Sequence, residues 1–86
     1  MSKNSVLLFS AHWCVSCGVM KPLFEQECKK LNVNYEIIDV ESDRGVDLSI
    51  EYKVRNIPTL IFLDEDNKVI GRASGSNAYK EIEKYI

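Results

Sequence analysis

The sequence predicts a small α/β fold in which helices cover a mixed β-sheet, and two parts of the pattern indicate it. An apolar run at residues 6–9 is followed by a long stretch with helical periodicity and by a second strand at residues 35–40. Such a β-α-β unit implies a parallel strand pair joined by a crossover helix. Later, strands predicted at residues 57–63 and 68–73 flank a polar turn at residues 64–67, which indicates a hairpin.

The first strand and the helix after it have the clearest periodicity. Four apolar residues between polar ends, at 6–9, predict a buried strand. The helix is predicted from about residue 14 to residue 30, and Pro22 is expected to bend it because proline lacks the N–H and its ring clashes with the preceding turn. One continuous apolar face is predicted from the helical spacing of Met20, Leu23, Phe24, Cys28 and Leu31.

The segment at residues 46–54 is ambiguous on its pattern alone. Its apolar residues alternate strictly, which favours a strand. Val46, Ile50 and Val54 are also four residues apart, which permits a helix. Periodicity therefore leaves both structures open.

The last two elements are predicted from their boundaries. Pro58 stands at the mouth of the strand at 57–63, where a missing N–H is tolerated. Ser76 or Asn77 is placed to cap a final helix. The apolar residues of that helix are Tyr79, Ile82 and Ile86.

Size and charge limit the classes of function. A chain of 86 residues predicts one domain, residues 1–86, and a 45% apolar fraction suffices for a core. The net charge of −2 and the lack of a Lys/Arg-rich run argue against a nucleic-acid partner. The apolar run near the N-terminus is shorter than a signal-peptide core of about 7–15 residues or a membrane span of about 20. We therefore expect a cytoplasmic monomer that does not bind membranes.

Two cysteines lie in the stretch Trp13-Cys14-Val15-Ser16-Cys17, where the first strand ends and the helix begins. At that point unpaired backbone N–H groups and the helix dipole favour a thiolate, which is the nucleophile of thiol–disulfide exchange. A reducing compartment and an odd count of three cysteines argue against structural disulfides. The pattern predicts Cys14 as the exposed attacking sulfur and Cys17, one turn later, as the resolving one.

A metal site is the alternative interpretation of the cysteine pair. Zinc sites need four ligands, and the other candidates are His12 and Cys28. Cys28 lies about 16 Å beyond Cys17 at about 1.5 Å per helical residue, so the two cannot share a metal. At most three ligands remain. We expect no metal and no cofactor apart from a redox-active Cys14–Cys17 disulfide, with Cys28 as a core residue.

The two residues before Cys14 are candidates for assisting it. His12 is either an ordinary loop residue or tunes Cys14, because a nearby imidazole biases a thiolate. Trp13 is predicted to shield the thiol or to present a docking surface.

These motifs together resemble the thioredoxin family. The resemblance rests on Ala11-His12-Trp13-Cys14-Val15-Ser16-Cys17, Pro22, Ile57-Pro58-Thr59 and Gly75, which span nearly the whole chain. It implies a four-stranded mixed sheet with helices on both faces, in the order β-α-β-α-β-β-α, and a helix at residues 47–55. It also implies a cis peptide bond before Pro58, beside the cysteines. A client would then bind on the surface of Trp13, Ile57, Pro58 and Gly75.

The chain departs from the family pattern in three respects. Typical thioredoxins have a β-α unit before the strand that carries the motif, and Cys14 comes too early for one, so we expect the minimal core. A buried Asp usually accepts the proton of the resolving thiol, but that position is Leu8 here, and its usual lysine partner corresponds to Ile37. Val15 and Ser16 replace the usual Gly-Pro, so we expect them to tune the redox potential, with Ser16 donating one more hydrogen bond to Cys14.

The resemblance implies a thiol–disulfide oxidoreductase whose Cys14/Cys17 dithiol reduces protein disulfides. Its clients would be disulfide-containing proteins, ribonucleotide reductase among them, and its electron donor a thioredoxin reductase or glutathione. Two alternatives stay open. One is a glutaredoxin-like reductase that depends on glutathione, which the short chain favours. The other is a thioredoxin-fold binding module whose Trp13 and Pro58 surface holds a partner without catalysis.

Overall fold

The computed structural model describes residues 4–85 of the chain. Its elements are β1 (Ser5–Ser10), α1 (Val15–Leu31), β2 (Asn34–Asp39), α2 (Asp43–Glu51), β3 (Thr59–Leu63), β4 (Val69–Ser74) and a C-terminal 3₁₀ helix (Ala78–Tyr85). The sheet has the order β2-β1-β3-β4, with β1 parallel to β2 and antiparallel to β3, and β4 antiparallel to β3. The predicted four-stranded mixed sheet is therefore confirmed.

The central strand β1 is buried on both faces. Its side chains alternate between the two faces, and each face packs into a core of its own. Val6 and Leu8 point into a core with α1 and the 3₁₀ helix. Leu7 and Phe9 point into a second core, against which residues of α2 and its C-terminal end pack. Helices thus cover both faces of the sheet, as predicted. No helix within residues 4–85 is long and apolar enough to cross a membrane.

The apolar face of α1 is narrower than the periodicity predicts. Met20, Phe24 and Cys28 are fully buried, and Cys17 joins them at 2% exposure. Leu23, predicted on the same apolar face, is 37% exposed and lies outside the buried part of it. It lies about 100° around the helix axis from Phe24, outside the stripe that meets the sheet. Pro22 lies inside the helix, which continues through it to Leu31.

The ambiguous segment is helical, but the helix α2 begins and ends four residues before the predicted bounds of 47–55. Ser42 caps it, since its hydroxyl accepts the N–H of Gly45 at 2.9 Å and donates to the Asp39 carbonyl at 2.7 Å. A Cβ on Gly45 would lie 1.7 Å from the Asp39 carbonyl oxygen, so this close approach to β2 requires glycine. The helix ends before Lys53, whose φ of 55° is left-handed.

The strand predicted at residues 57–63 begins two residues later, at Thr59. The peptide bond between Ile57 and Pro58 is cis, and the Thr59 hydroxyl donates to the Asn56 carbonyl within the same turn. The hairpin to β4 forms as predicted, and the chain then turns at Gly75.

The final helix is a 3₁₀ helix, and it closes one core. Ile82 is fully buried, and Tyr79 is half-buried against the same cluster. Tyr85 stacks on Phe62 with ring centroids 4.3 Å apart. The predicted apolar position Ile86 lies outside the described residues.

Candidate active site

The cysteine pair lies where the loop after β1 enters α1. Cys14 is the N-cap residue, with φ −88° and ψ 106°, and its Sγ accepts the backbone N–H of Cys17 at 3.2 Å. The two residues form a disulfide with their Cα atoms 5.2 Å apart. Cys14 is partly exposed, whereas Cys17 is buried. A client can therefore reach the sulfur of Cys14 before that of Cys17.

The charge distribution at this end of α1 favours an anionic sulfur. The first turn contains no acidic residue that would repel a thiolate. The unpaired N–H groups of the first turn carry partial positive charge, and the N–H of Cys17 already points at Sγ. When the disulfide opens, the thiolate of Cys14 is thus stabilised where it forms.

A cavity of about 540 Å³ lies beside the disulfide and is lined by both cysteines. Charged or titratable side chains from three elements also line it: His12 before α1, Lys21 on α1 and Asp39 at the end of β2. The His12 Nδ1 atom lies 3.0 Å from the Glu41 Oε1 atom, and both side chains are exposed. His12 is thus an exposed loop residue paired with a carboxylate.

The position expected to hold a buried acid is apolar in the structure. Leu8 is fully buried and lies opposite Ile37 in the parallel β1–β2 pair. Ile37 also lines the cavity beside Cys17. The two residues that replace an acid and its basic partner are therefore neighbours, and neither can exchange a proton.

The structure joins the predicted docking residues in two pairs, Trp13 with Ile57 and Pro58 with Gly75. Trp13 is 60% exposed and shares an apolar groove of about 340 Å³ with Ile57. The backbone N–H of Gly75 donates to the Pro58 carbonyl at 3.0 Å. Within residues 4–85, no backbone group pairs with the N–H or the C=O of Ile57. The Ile57 main chain is thus open beside the groove.

Val15 and Ser16 lie on the outside of the first turn of α1. Both are exposed, Val15 at 82%. In the described part of the chain, Cys17 is the residue that donates to the Cys14 sulfur, and no bond from Ser16 to that sulfur is present in this oxidised form. The tuning role of both residues stays a prediction.

Cys28 lies about three turns along α1 from Cys17, on the face of the helix that packs into the core, and is a free cysteine. Burial, together with smaller contributions from the nearby charges of Glu27 and Glu25, raises the pKa of its thiol from 9.0 to about 12. The thiol therefore stays neutral in the folded protein at a pH where the unfolded chain ionises. This supports its predicted role as a small apolar core residue.

The raised pKa of Cys28 makes folding stability depend on pH above 9. Between pH 9 and about 12 the unfolded chain releases a proton that the folded protein keeps, so the free energy of unfolding falls as the pH rises. We expect the free energy of unfolding of the wild type to fall by up to about 1.4 kcal/mol per pH unit more than that of the variant Cys28→Ala, which lacks this thiol. Urea denaturation under reducing conditions at pH 8 and pH 10 measures both proteins. Equal losses in the two proteins would contradict the prediction.

Several site residues were missed by sequence reasoning. Lys21 and Asp39 line the cysteine cavity, and Glu41 pairs with His12. Asp39 had a usable signal, since it ends a strand parallel to β1 and the carboxyl ends of parallel strands meet at one edge of a sheet. Within the described residues, no group of three or more His, Cys, Asp or Glu side chains is placed to hold a metal ion.

Comparisons with known proteins agree with this geometry. The thioredoxin family model matches residues 1–86. The chain is 33% identical over 86 residues to a thioredoxin of Mycoplasmoides gallisepticum, covering 96% of this chain and 84% of that one. It is 39% identical over 78 residues to the thioredoxin of Oryctolagus cuniculus, covering 91% and 72%.

A solved structure of a relative superposes closely on the fold. The structure of reduced Schistosoma mansoni thioredoxin aligns with a TM-score of 0.86 at 27% identity, covering 99% of this chain and 81% of that one. The family match and the cysteine pair at the N-terminus of α1 show that this chain belongs to the thioredoxin family and is a thiol–disulfide oxidoreductase.

Proposed function

We propose that this oxidoreductase reduces disulfides of client proteins in two steps, with Cys14 as the attacking nucleophile and Cys17 as the resolving thiol. The observation that supports this division of roles is the difference in solvent exposure between the two cysteines. Cys14 caps the helix and is partly exposed, whereas Cys17 is 2% exposed. A protein disulfide is too large to reach a buried thiol, so the first attack falls to Cys14.

The two steps transfer two electrons from the dithiol to the client. The Cys14 thiolate attacks one client sulfur, a mixed disulfide forms, and the client disulfide breaks to release its first thiolate. Cys17, after losing its proton, attacks the Cys14 sulfur. That attack breaks the mixed disulfide, releases the second client thiolate and leaves the Cys14–Cys17 disulfide, which a donor then reduces.

The client is proposed to bind across Trp13, Ile57, Pro58 and Gly75. The exposed indole of Trp13 and the side chain of Ile57 supply apolar contact in one groove. The unpaired main chain of Ile57 supports strand-like pairing with an extended client segment. We expect His12, Val15 and Ser16 to adjust the reduction potential, because they flank Cys14 without taking part in the exchange.

Family membership supports a thioredoxin reductase as the electron donor and disulfide-containing proteins as clients. Ribonucleotide reductase is one proposed client. The two alternative functions are not favoured, because the relatives described above are thioredoxins and the cysteine pair is intact. The cytoplasmic location and the monomeric state stay predictions.

The variant Cys17→Ser tests the proposed order of attack. It keeps the attacking thiol but cannot resolve the mixed disulfide, so we expect a covalent complex with insulin on a non-reducing gel. Dithiothreitol should reduce the mixed disulfide and separate the two proteins. The control is the double variant Cys14→Ser/Cys17→Ser, which should form none. A complex that persists in the double variant, or one that is insensitive to dithiothreitol, would instead support a binding module.

A further inference from the structure

The resolving step needs a base, and the position where thioredoxins usually have a buried Asp is occupied by Leu8 in this chain. The thiolate of Cys17 is the nucleophile, so its proton must leave before or during the attack. Cys17 is almost fully buried, so bulk solvent has little direct access to its thiol. Leu8 and Ile37, which lie side by side on the same face of the sheet, have no group that accepts a proton.

Two residues further along each strand, the same face of the sheet carries polar side chains. In the parallel β1–β2 register, Leu8 lies opposite Ile37 and Ser10 lies opposite Asp39. Residues two apart in a strand share a face and lie about 6.6 Å apart along it. Ser10 and Asp39 therefore stand at the end of the sheet where the cysteines are, and both line the cavity that contains Cys17.

The Asp39 carboxylate is held in place with one oxygen available. Its Oδ1 atom accepts the backbone N–H of Glu41 at 2.9 Å, and its carbonyl accepts the N–H and the hydroxyl of Ser42 at 3.1 Å and 2.7 Å. Among residues 4–85, no group donates to its Oδ2 atom. Asp39 is also the one carboxylate among the described residues that line this cavity.

The other titratable or charged groups that face Cys17 are Cys14, His12 and Lys21. The ammonium of Lys21 has no proton acceptor site, and its positive charge favours the thiolate of Cys17. The imidazole of His12 is the rival base, and its Nδ1 atom is paired with Glu41 in the loop before α1. We favour Asp39 because it continues the sheet face of Leu8 and Ile37, which the structure places beside Cys17.

We propose that Asp39 accepts the proton of the Cys17 thiol through water in the cavity during resolution, an inference that rests on the proposed function. The cavity of about 540 Å³ has room for several waters between polar groups. The proton passes from Cys17 Sγ to Asp39 Oδ2 through such a water. The Cys17 sulfur then bonds to the Cys14 sulfur, and the client thiolate leaves with the electron pair. The protonated carboxyl returns its proton to the released thiolate or to solvent.

Rapid mixing of the reduced protein with dithiobis(nitrobenzoate) separates the two attacks. The first nitrothiolate is released by Cys14 at a rate that depends on reagent concentration, and the second is released by Cys17 at a rate that does not. We expect Asp39→Asn to slow the second phase at pH 7 on the order of tenfold, below the usual range for general bases because the proton travels through water. The first phase should stay unchanged. The Asn amide oxygen can still accept the Glu41 N–H, so the fold should be kept.

The pH profile separates a proton acceptor from a structural residue. The defect of Asp39→Asn should disappear at a pH where the Cys17 thiol ionises unaided, and Asp39→Glu should restore the second phase. The matched control Asp66→Asn, in the exposed β3–β4 turn, should behave as wild type. Equal second phases in Asp39→Asn and Asp66→Asn at every pH would overturn the proposal, as would a loss confined to His12→Gln. A wild-type protein that shows no reagent-dependent first release of nitrothiolate would instead contradict the proposed role of Cys14.

Discussion

Replacing Cys14 with serine is expected to reduce insulin disulfide reduction to the rate of dithiothreitol alone. A serine hydroxyl is not ionised at neutral pH and cannot form a mixed disulfide, so no later step can begin. The N-cap hydrogen bond to the Cys17 N–H is one that a serine side chain also makes, so the helix should be kept. The insulin turbidity assay measures the loss, and circular dichroism checks the fold.

The remaining cysteines provide the controls for this prediction. Cys28→Ala removes a thiol from the core and should keep most of the activity, because Cys28 lies near the far end of α1 from the pair. Cys17→Ser should show a mixed disulfide with little turnover. An activity of Cys14→Ser close to that of wild type would contradict the assignment of the nucleophile.

Phe24→Ala is expected to cause the largest loss of stability among single substitutions on α1. Phe24 is fully buried between the helix and the sheet, and its ring meets Tyr35 edge to face with centroids 5.4 Å apart. Replacing a buried Phe with Ala costs about 3–5 kcal/mol, because apolar contact is lost and a cavity remains. The free energy of unfolding of a small domain is about 5–15 kcal/mol, so the variant should be only marginally stable at 37 °C.

The neighbouring residue gives a matched control. Leu23 precedes Phe24 on the same helix but is 37% exposed. Leu23→Ala should cost less than about 1 kcal/mol, since alanine also suits the helix and little buried area is lost. Urea denaturation of both variants measures the difference. Similar losses would mean that Leu23 is packed in the core, as the periodicity alone predicts.

The elements that the sequence predicts best are those with a strong local signal. The apolar run of β1, the helical spacing of α1 and the polar turn before β4 all lie in the structure within a few residues of their predicted places. The cysteine pair is also local, because its position at a strand end and helix start depends on neighbouring residues only.

The local pattern is ambiguous or misleading where tertiary packing decides the structure. The strict alternation at residues 46–54 favours a strand, but the Ser42 cap and the close approach of Gly45 to Asp39 begin a helix there. Leu23 has a helical spacing typical of core residues, yet only a narrow stripe of α1 meets the sheet. Burial depends on which neighbour covers a face, and periodicity does not contain that information.

The sequence by itself determined the chemistry of this protein. Cys14 and Cys17 at the start of a helix specify a thiol pair, and Pro58 and Gly75 with them indicate the family. Only the tertiary structure decided what surrounds the pair. Parallel pairing of β1 with β2 brings Asp39 to the cavity of Cys17 and sets Ile37 against Leu8. These contacts join residues far apart in the chain, and a shift of one residue in register would turn each side chain to the other face.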